Sequence, residues 1–154
     1  MRSHAAKQSF IIVVAITASL LSAGAAHAQI PIGTWARTDA EGKGVVMTVT
    51  TCCNGGLRLV YKVPPNQGQP AMTLTVDSPM DGTDVPALVN GKPTGETMAI
   101  KRLDERHYTG VVKMKGQAFS TSNATVSADQ KTITVESVSQ DRVRQKITET
   151  WVRQ

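Results

Sequence analysis

The sequence predicts an all-β domain preceded by a signal-peptide helix, and three observations support the all-β part. Residues 29–154 are rich in Val, Thr and Ser, apolar and polar residues alternate over short runs, and Gly, Pro, Asn and Asp separate those runs. Alternation with period two is typical of half-buried strands, whereas few stretches have the apolar periodicity of a helix. The domain is therefore an antiparallel meander, a sandwich or a barrel.

Residues 1–28 have the three parts of a secretory signal peptide. Arg2 and Lys7 make its start positive, and residues 10–21 (FIIVVAITASLL) are uncharged and too short for a stable membrane anchor. Ala26-His27-Ala28 then supplies the small residues that signal peptidase requires. We expect cleavage after Ala28, a periplasmic or secreted protein, and no membrane anchor once the signal is removed. Residues 29–154 then form one domain.

The charged residues give no sign of a nucleic-acid partner. The chain has 17 basic and 12 acidic residues and a formal charge of +5, and two of the basic residues lie in the signal peptide. The remaining charges are scattered without a Lys/Arg cluster, which is typical of a solvated surface. We expect no cofactor, and the sequence does not specify an oligomeric state.

The alternating runs predict ten strands with a long irregular segment among them. The stretch from Pro79 to Gly95 (PMDGTDVPALVNGKPTG) is rich in Pro and Gly, so we expect a loop there with at most one short edge strand. The predicted strands are 33–37, 45–53, 57–63, 71–77, 84–89, 97–103, 107–115, 118–126, 132–139 and 143–152.

Turn length decides which residues pair in a hairpin, and paired residues share a face. A three-residue turn at 54–56 pairs Val49 with Tyr61, gathers the apolar residues on one face, and puts Cys53 inward and Cys52 outward. The same test assigns the other turns. A type II′ turn at Gly116-Gln117 pairs Met114 with Phe119, and a turn at 104–106 pairs Ile100 with Gly110. A loop at 140–142 pairs Val135 with Ile147 and Glu136 with Lys146.

These registers predict one inner face that is mostly apolar with some polar members. The polar members have two explanations: strand ends at a rim or a wet sheet edge, or a lined cavity in which a few polar groups orient a ligand. The candidate cavity-lining residues are Met47, Val49, Leu59, Tyr61, Met98, Ile100, Val112, Met114, Phe119, Asn123, Ile147 and Glu149.

The two cysteines, Cys52 and Cys53, are adjacent, so we expect no ordinary disulfide. Disulfides favour Cα atoms about 4.4–6.8 Å apart, whereas neighbours in a chain are about 3.8 Å apart. The pair is interpreted as two thiols at a strand end, with an intermolecular disulfide, a redox-active vicinal pair or a soft-metal site as alternatives. A metal site would need further ligands, and we expect none.

No catalytic constellation is evident, so we expect that the protein is not an enzyme. His107 is the only histidine after residue 28 and follows a turn, without a nucleophile at a catalytic spacing. Most acidic residues fall in predicted turns. Only Glu149 is predicted to point inward, where it could act as a base or form an ion pair with Arg37 or Arg102.

Two short motifs resemble the lipocalin-like (calycin) barrels. They are Gly33-Thr34-Trp35 at the start of the domain and Glu149-Thr150-Trp151-Val152-Arg153 at its end. The segment 98–137 also resembles small exported bacterial proteins of this type that lack a known function. The resemblance implies an antiparallel up-and-down meander that closes into a small lipocalin-like barrel. It also implies that Trp35 and Gly33 close one barrel end and that Arg153 stacks on the indole as a cation–π pair.

Two functions follow as expectations. The first is the binding of a small apolar or amphipathic molecule inside the barrel. The alternative is a periplasmic interaction or inhibitor-type protein that uses the segment 79–95 as a contact loop and holds no small ligand. In both cases we expect strands 33–37 and 147–153 to be neighbours, because closure removes exposed sheet edges.

Overall fold

The computed structural model describes residues 30–66, 68–141 and 143–154. The predicted signal peptide, 1–28, and its helix lie outside the described residues. In the described part of the chain, no helix is long and apolar enough to cross a bilayer.

The described residues form ten strands that follow the predicted runs closely. Two short 3₁₀ turns, Ala40–Gly42 and Cys53–Gly55, interrupt the connections. The strands are β1 (Gly33–Arg37), β2 (Val46–Cys52), β3 (Gly56–Val63), β4 (Met72–Ser78), β5 (Asp81–Val89), β6 (Lys92–Arg102), β7 (His107–Met114), β8 (Gln117–Val126), β9 (Thr132–Ser139) and β10 (Lys146–Arg153).

The strands form a closed antiparallel barrel in which each pairs with its neighbours in sequence and β1 pairs with β10. Trp35 lies opposite Arg153 and Arg37 lies opposite Trp151. The predicted up-and-down meander and the predicted contact between the terminal strands are confirmed. Closure leaves the sheet without a free edge along its length.

The up-and-down order puts alternate connections at opposite ends of the barrel. We call "lower end" the end that carries Gly33, Arg153 and the connections 53–55, 79–80, 103–106 and 127–131. The "upper end" carries the connections 38–45, 64–71, 90–91, 115–116 and 140–145.

The predicted loop from Pro79 to Gly95 is wrong, because most of this segment belongs to β5 and β6. Asn90 and Gly91 both have positive φ, 50° and 77°, as a two-residue type I′ hairpin turn requires. Pro86 lies where the register between β5 and β6 shifts, and such irregularities tolerate a missing backbone donor. A contact loop over 79–95 therefore does not exist.

The predicted turn at Gly116-Gln117 is also wrong. The turn lies one residue earlier, at Lys115-Gly116, with φ of 50° and 81°. A bulge beyond Val112 then adds an unpaired residue to β8, so that Val112 faces Ser120. The face of β8 is reversed as a result, and Phe119 and Asn123 are exposed on the outside.

Of the four predicted hairpins, the one that pairs Ile100 with Gly110 is confirmed. The remaining two differ from their predicted registers by two residues. Val49 pairs with Leu59 instead of Tyr61, and Ile147 pairs with Ser137 instead of Val135. A slide of two residues leaves every side chain on its predicted face. Cys53 is displaced from the inner face, because it belongs to the exposed turn.

Candidate functional site

The lower end of the barrel is filled by a packed core. Trp35, Val49 and Leu57 are fully buried there, and Leu59 and Tyr108 are 2 % exposed. The rest of this core is Ile30, Met47, Met80, Ile100, Val126, Ile133 and Trp151. A filled lower end leaves no space for a ligand at this level of the barrel.

The segment before β1 covers this end. The Trp35 indole Nε1 donates to the Pro31 carbonyl (3.2 Å), and the Arg153 guanidinium donates to the Ile32 carbonyl (2.8 Å). Gly33 lies against the Arg153 guanidinium, and its φ of +142° is a backbone conformation that favours glycine. These contacts fit a closing role for the three residues, whereas stacking of Arg153 on the indole stays a prediction.

A layer of polar groups lies above the core. Arg37 forms an ion pair with Glu149 (Nη1–Oε1, 3.2 Å), and both side chains are largely buried. The other oxygen of Glu149 accepts a hydrogen bond from Trp151 Nε1 (3.1 Å). Arg37 is one of the two ion-pair partners that the sequence suggests for Glu149, and the barrel brings it there because β1 and β10 are neighbours.

The connection from β1 to β2 holds Arg37 in place. Asp39 accepts from Arg37 Nε (2.7 Å) and Nη2 (2.9 Å), and it also accepts from the backbone of Gly42 (3.1 Å). A Cβ at Gly42 would overlap the Arg37 side chain, 1.9 Å from its Cδ, so only glycine fits over it. The hydrogen bond from Arg37 holds the pKa of Asp39 below its ordinary value.

Tyr61, which lies on β3 two strands from β1, completes the polar layer. Its ring meets Trp151 edge to face, with centroids 5.7 Å apart. Burial, and then the charge of Glu149, raise the pKa of Tyr61 well above its ordinary value, so the hydroxyl stays protonated. We find no hydrogen bond to this hydroxyl in the described part of the chain. No enclosed side-chain polar atom there lacks a partner, so the hydroxyl is not fully enclosed.

The upper end differs from the lower end because it is open. A cavity of about 530 Å³ lies between the upper ends of β3, β4 and β5 and the connection 64–71. Its volume is within the roughly 300–1,000 Å³ range of small-molecule sites. None of its lining residues is charged. They are Val63, Pro64, Asn66, Gln69, Pro70, Ala71, Met72, Val89 and Asn90.

A smaller cavity of about 250 Å³ lies elsewhere at the upper end. The 3₁₀ turn around Ala40 and the start of β10 line it, including Ile147 and the charged Glu41 and Lys146. Its volume is below the lower limit of about 300 Å³ that is usual for small-molecule sites. The larger cavity is therefore the candidate ligand site.

The structure separates the twelve predicted lining residues into three groups. Met47, Val49, Leu59 and Ile100 belong to the packed core. Tyr61, Met98, Val112, Ile147 and Glu149 lie on the inner face and are half-buried. Met114 (39 % exposed) and Phe119 (57 %) are exposed near the β7–β8 turn, and Asn123 is exposed on the outside, so Phe119 and Asn123 are not cavity-lining residues.

Sequence reasoning did not identify the lining of the larger cavity, although two signals for it were present. Val63 continues the inner face of β3 and pairs with Met72, so the alternation of β3 and β4 already extends to the cavity. Asn90-Gly91 between apolar runs is a strong hairpin signal. It was overlooked because the neighbouring prolines favoured a loop.

Cys52 and Cys53 are joined in a vicinal disulfide, which corrects the expectation of none. The bond forms in the exposed turn at the lower end, where Cys53 has a φ of 48°. His107 is exposed and its Nδ1 lies 2.7 Å from Asp104. In the described residues, neither feature is part of the polar layer or the cavity.

Comparisons with known proteins show the fold alone. No family model matches the chain, and no curated protein matches it in sequence. Among solved structures, a point mutant of the fluorescent protein UnaG is similar, with a TM-score of 0.57 and 10 % identity over 81 % of this chain and 96 % of that chain. Together with the closed antiparallel barrel, this similarity defines the architecture as a calycin-like fold.

Proposed function

We propose that this protein is an exported barrel that binds a small, uncharged, mostly apolar molecule at its upper end. The observation that carries the proposal is the difference between the two ends. The lower half of the barrel is packed, whereas the upper end opens into the cavity of about 530 Å³. Apolar side chains with a few amides are typical of sites that hold and orient small molecules.

The lining indicates the chemistry of the ligand. Val63, Met72 and Val89 provide apolar surface, and Asn66 and Asn90 provide amide groups at the edge. A charged ligand would lose hydration without gaining a partner, because the lining of this cavity contains no charged side chain.

The polar layer gives the ligand an orientation. Tyr61 precedes Val63 by two residues and therefore shares its face, deeper in the barrel. Tyr61 does not line the cavity itself, so a ligand with one polar end would have to extend below the cavity to meet its hydroxyl, for which we find no hydrogen-bond partner in the described residues. This group favours an amphipathic over a wholly apolar molecule, because hydrogen bonding satisfies both partners.

Binding of the uncharged dye Nile red tests the proposal with two matched variants. Ala71 lines the cavity and Ala118 lies outside it on β8, and both are exposed, so a larger side chain is tolerated at either position. We expect Ala71→Phe to weaken dye binding at least tenfold and Ala118→Phe to leave it unchanged. Equal affinities for wild type and Ala71→Phe would contradict the proposal, as would wild-type protein that does not bind the dye.

Export is the second part of the proposal, and the pattern of residues 1–28 supports it. We expect the protein purified from the periplasm or medium of an expressing bacterium to begin at Gln29. Its intact mass measures this directly. A mass that includes residues 1–28 would contradict export with cleavage.

A further inference from the structure

The vicinal cysteines lie close to a third metal-binding group. Asp77 of β4 has a carboxylate oxygen within 4.8 Å of both Sγ atoms of Cys52 and Cys53. Residue pattern alone does not connect these residues, because Asp77 is far along the chain from the cysteine pair. Cysteine thiolates and aspartate carboxylates are both ligands that zinc accepts, and thiolates favour thiophilic dications.

The sheet register explains how the three groups meet. Cys52 pairs with Gly56, and Arg58, two residues further on β3, pairs with Asp77. Paired residues share a face, so Cys52 and Asp77 lie on the same outer face with β3 between them. Gly56 has no side chain, so none separates Cys52 from the next strand at this point. A Cβ there would lie 2.3 Å from the Ser78 carbonyl oxygen, so the glycine is required.

We propose that reduction of the Cys52–Cys53 disulfide creates a binding site for one thiophilic dication, held by the two thiolates and the Asp77 carboxylate. Around a tetrahedral zinc ion the ligand atoms lie roughly 3.3–3.8 Å apart, from metal–ligand distances of about 2.0–2.3 Å. Cleavage of the disulfide lets the two bonded sulfurs separate to this spacing, and the carboxylate oxygen already lies within 4.8 Å of both. Water fills the fourth position.

The chemistry of the switch balances with a dithiol as reductant. A thiolate of the reductant attacks one sulfur of the protein disulfide, and its second thiol resolves the mixed disulfide. Two electrons and two protons pass to the protein, which gains two thiols, and the reductant becomes a disulfide. Binding of the dication then releases both thiol protons to solvent. In the oxidised protein the sulfurs are bonded to each other and bind no metal.

The location allows both steps. Cys53 is exposed and Cys52 is half-buried, so a soluble reductant can reach the pair. The site lies at the lower end on the outer face, and it is separate from the cavity of the upper end.

Arg58 competes with the metal for Asp77. Its guanidinium donates two hydrogen bonds of 2.7 Å to the two carboxylate oxygens, and both side chains are partly exposed. An exposed ion pair contributes little net stability, so a dication displaces the arginine readily. Removal of Arg58 frees the Asp77 carboxylate. Metal affinity should therefore rise if Asp77 is a ligand and stay unchanged if the two thiols alone bind the metal.

Zinc titration of the full domain tests the proposal. The protein is reduced with a phosphine and kept without oxygen, and its fold is checked by circular dichroism. We expect one equivalent of Zn²⁺ to bind to the reduced protein and none to the oxidised protein. Asp77→Asn is expected to weaken binding about tenfold or more, and Arg58→Gln to strengthen it severalfold. Asp81→Asn removes an exposed carboxylate nearby and serves as the unchanged control.

Two results would overturn the proposal. One is reduced wild-type protein that binds no more Zn²⁺ than the double variant Cys52→Ser/Cys53→Ser, whose fold is checked by circular dichroism in the same way. The other is identical affinity for wild type, Asp77→Asn and Arg58→Gln. Co²⁺ provides an independent readout, because thiolate coordination gives it an intense charge-transfer absorption that the double variant cannot produce.

Discussion

The two ends of this barrel are built from the same ten strands but differ in what fills them. At the lower end, large side chains such as Trp35, Tyr108 and Trp151 interlock and are almost fully buried. At the upper end, inward positions on β8 and β9 are occupied by serines such as Ser122 and Ser137, which remain half-buried. Side-chain volume therefore decides which end is solid, although the backbone architecture is common to both.

The difference separates stability from binding. Each Å² of apolar surface that is buried stabilises the fold by about 25 cal/mol. Most of the large buried side chains lie at the lower end, so this end provides most of the hydrophobic stabilisation. The upper end contributes less burial and can keep an open cavity without loss of the fold. The polar layer of Arg37, Glu149 and Tyr61 lies at the boundary between these two regions.

The largest effect is expected from the lower end. Trp35→Ala removes a fully buried indole and its hydrogen bond to Pro31, so we expect a loss of about 3–5 kcal/mol of unfolding free energy. The fraction that still folds is expected to keep its binding specificity. Urea unfolding followed by circular dichroism measures the change.

Phe119→Ala is the matched control for this prediction, because it also removes an aromatic ring but one that is 57 % exposed. We expect a change within about 0.5 kcal/mol. Similar losses for the two variants would show that the lower end is not the stabilising region, and the closing role of Trp35 would have to be withdrawn.

An intermediate effect is expected at the boundary. Glu149→Ala leaves Trp151 Nε1 without its acceptor and removes one ion pair of Arg37, which retains Asp39. We expect a loss of about 1–2 kcal/mol, because these groups are largely buried. Lys146→Ala breaks the exposed ion pair with Glu136 and is expected to cost at most about 0.5 kcal/mol. The same loss for both variants would contradict the boundary role of Glu149.

The smallest effect concerns pH. The folded pKa of Asp39 is lowered, first by the hydrogen bond from Arg37, so the folded carboxyl binds a proton less readily than the unfolded one. Its stabilising contribution is complete above the unfolded pKa of about 3.9 and is lost as pH falls through the folded pKa. We therefore expect the stability difference between wild type and Asp39→Asn to shrink below about pH 4.

Urea unfolding of both proteins at several pH values between neutrality and pH 3 measures this difference. Asp129→Asn, which changes an exposed turn carboxylate at the lower end, serves as a comparison for a group outside the polar layer. A difference for Asp39→Asn that is constant with pH would show that the carboxylate charge does not contribute.

The strands and their faces were largely predictable from residue pattern, whereas the exact pairing was not. The β6–β7 hairpin was assigned correctly, because its turn at 104–106 leaves one apolar register. In the hairpins of β2–β3 and β9–β10 the pairing slid by two residues, and alternation with period two cannot detect such a slide. At β8 a bulge reversed the face, because a local backbone irregularity is invisible to a regular pattern.

The all-β architecture, the burial of Trp35 and the inward direction of Glu149 follow from residue pattern, because alternation and turn residues act locally along the chain. Three other features become visible only in the folded barrel: Arg37 meets Glu149, Asp77 lies close to the cysteine pair, and the connection 64–71 borders a cavity. These relations join residues from different strands or connections. They depend on register and barrel closure, which arise from the sum of many weak contacts and not from any short segment.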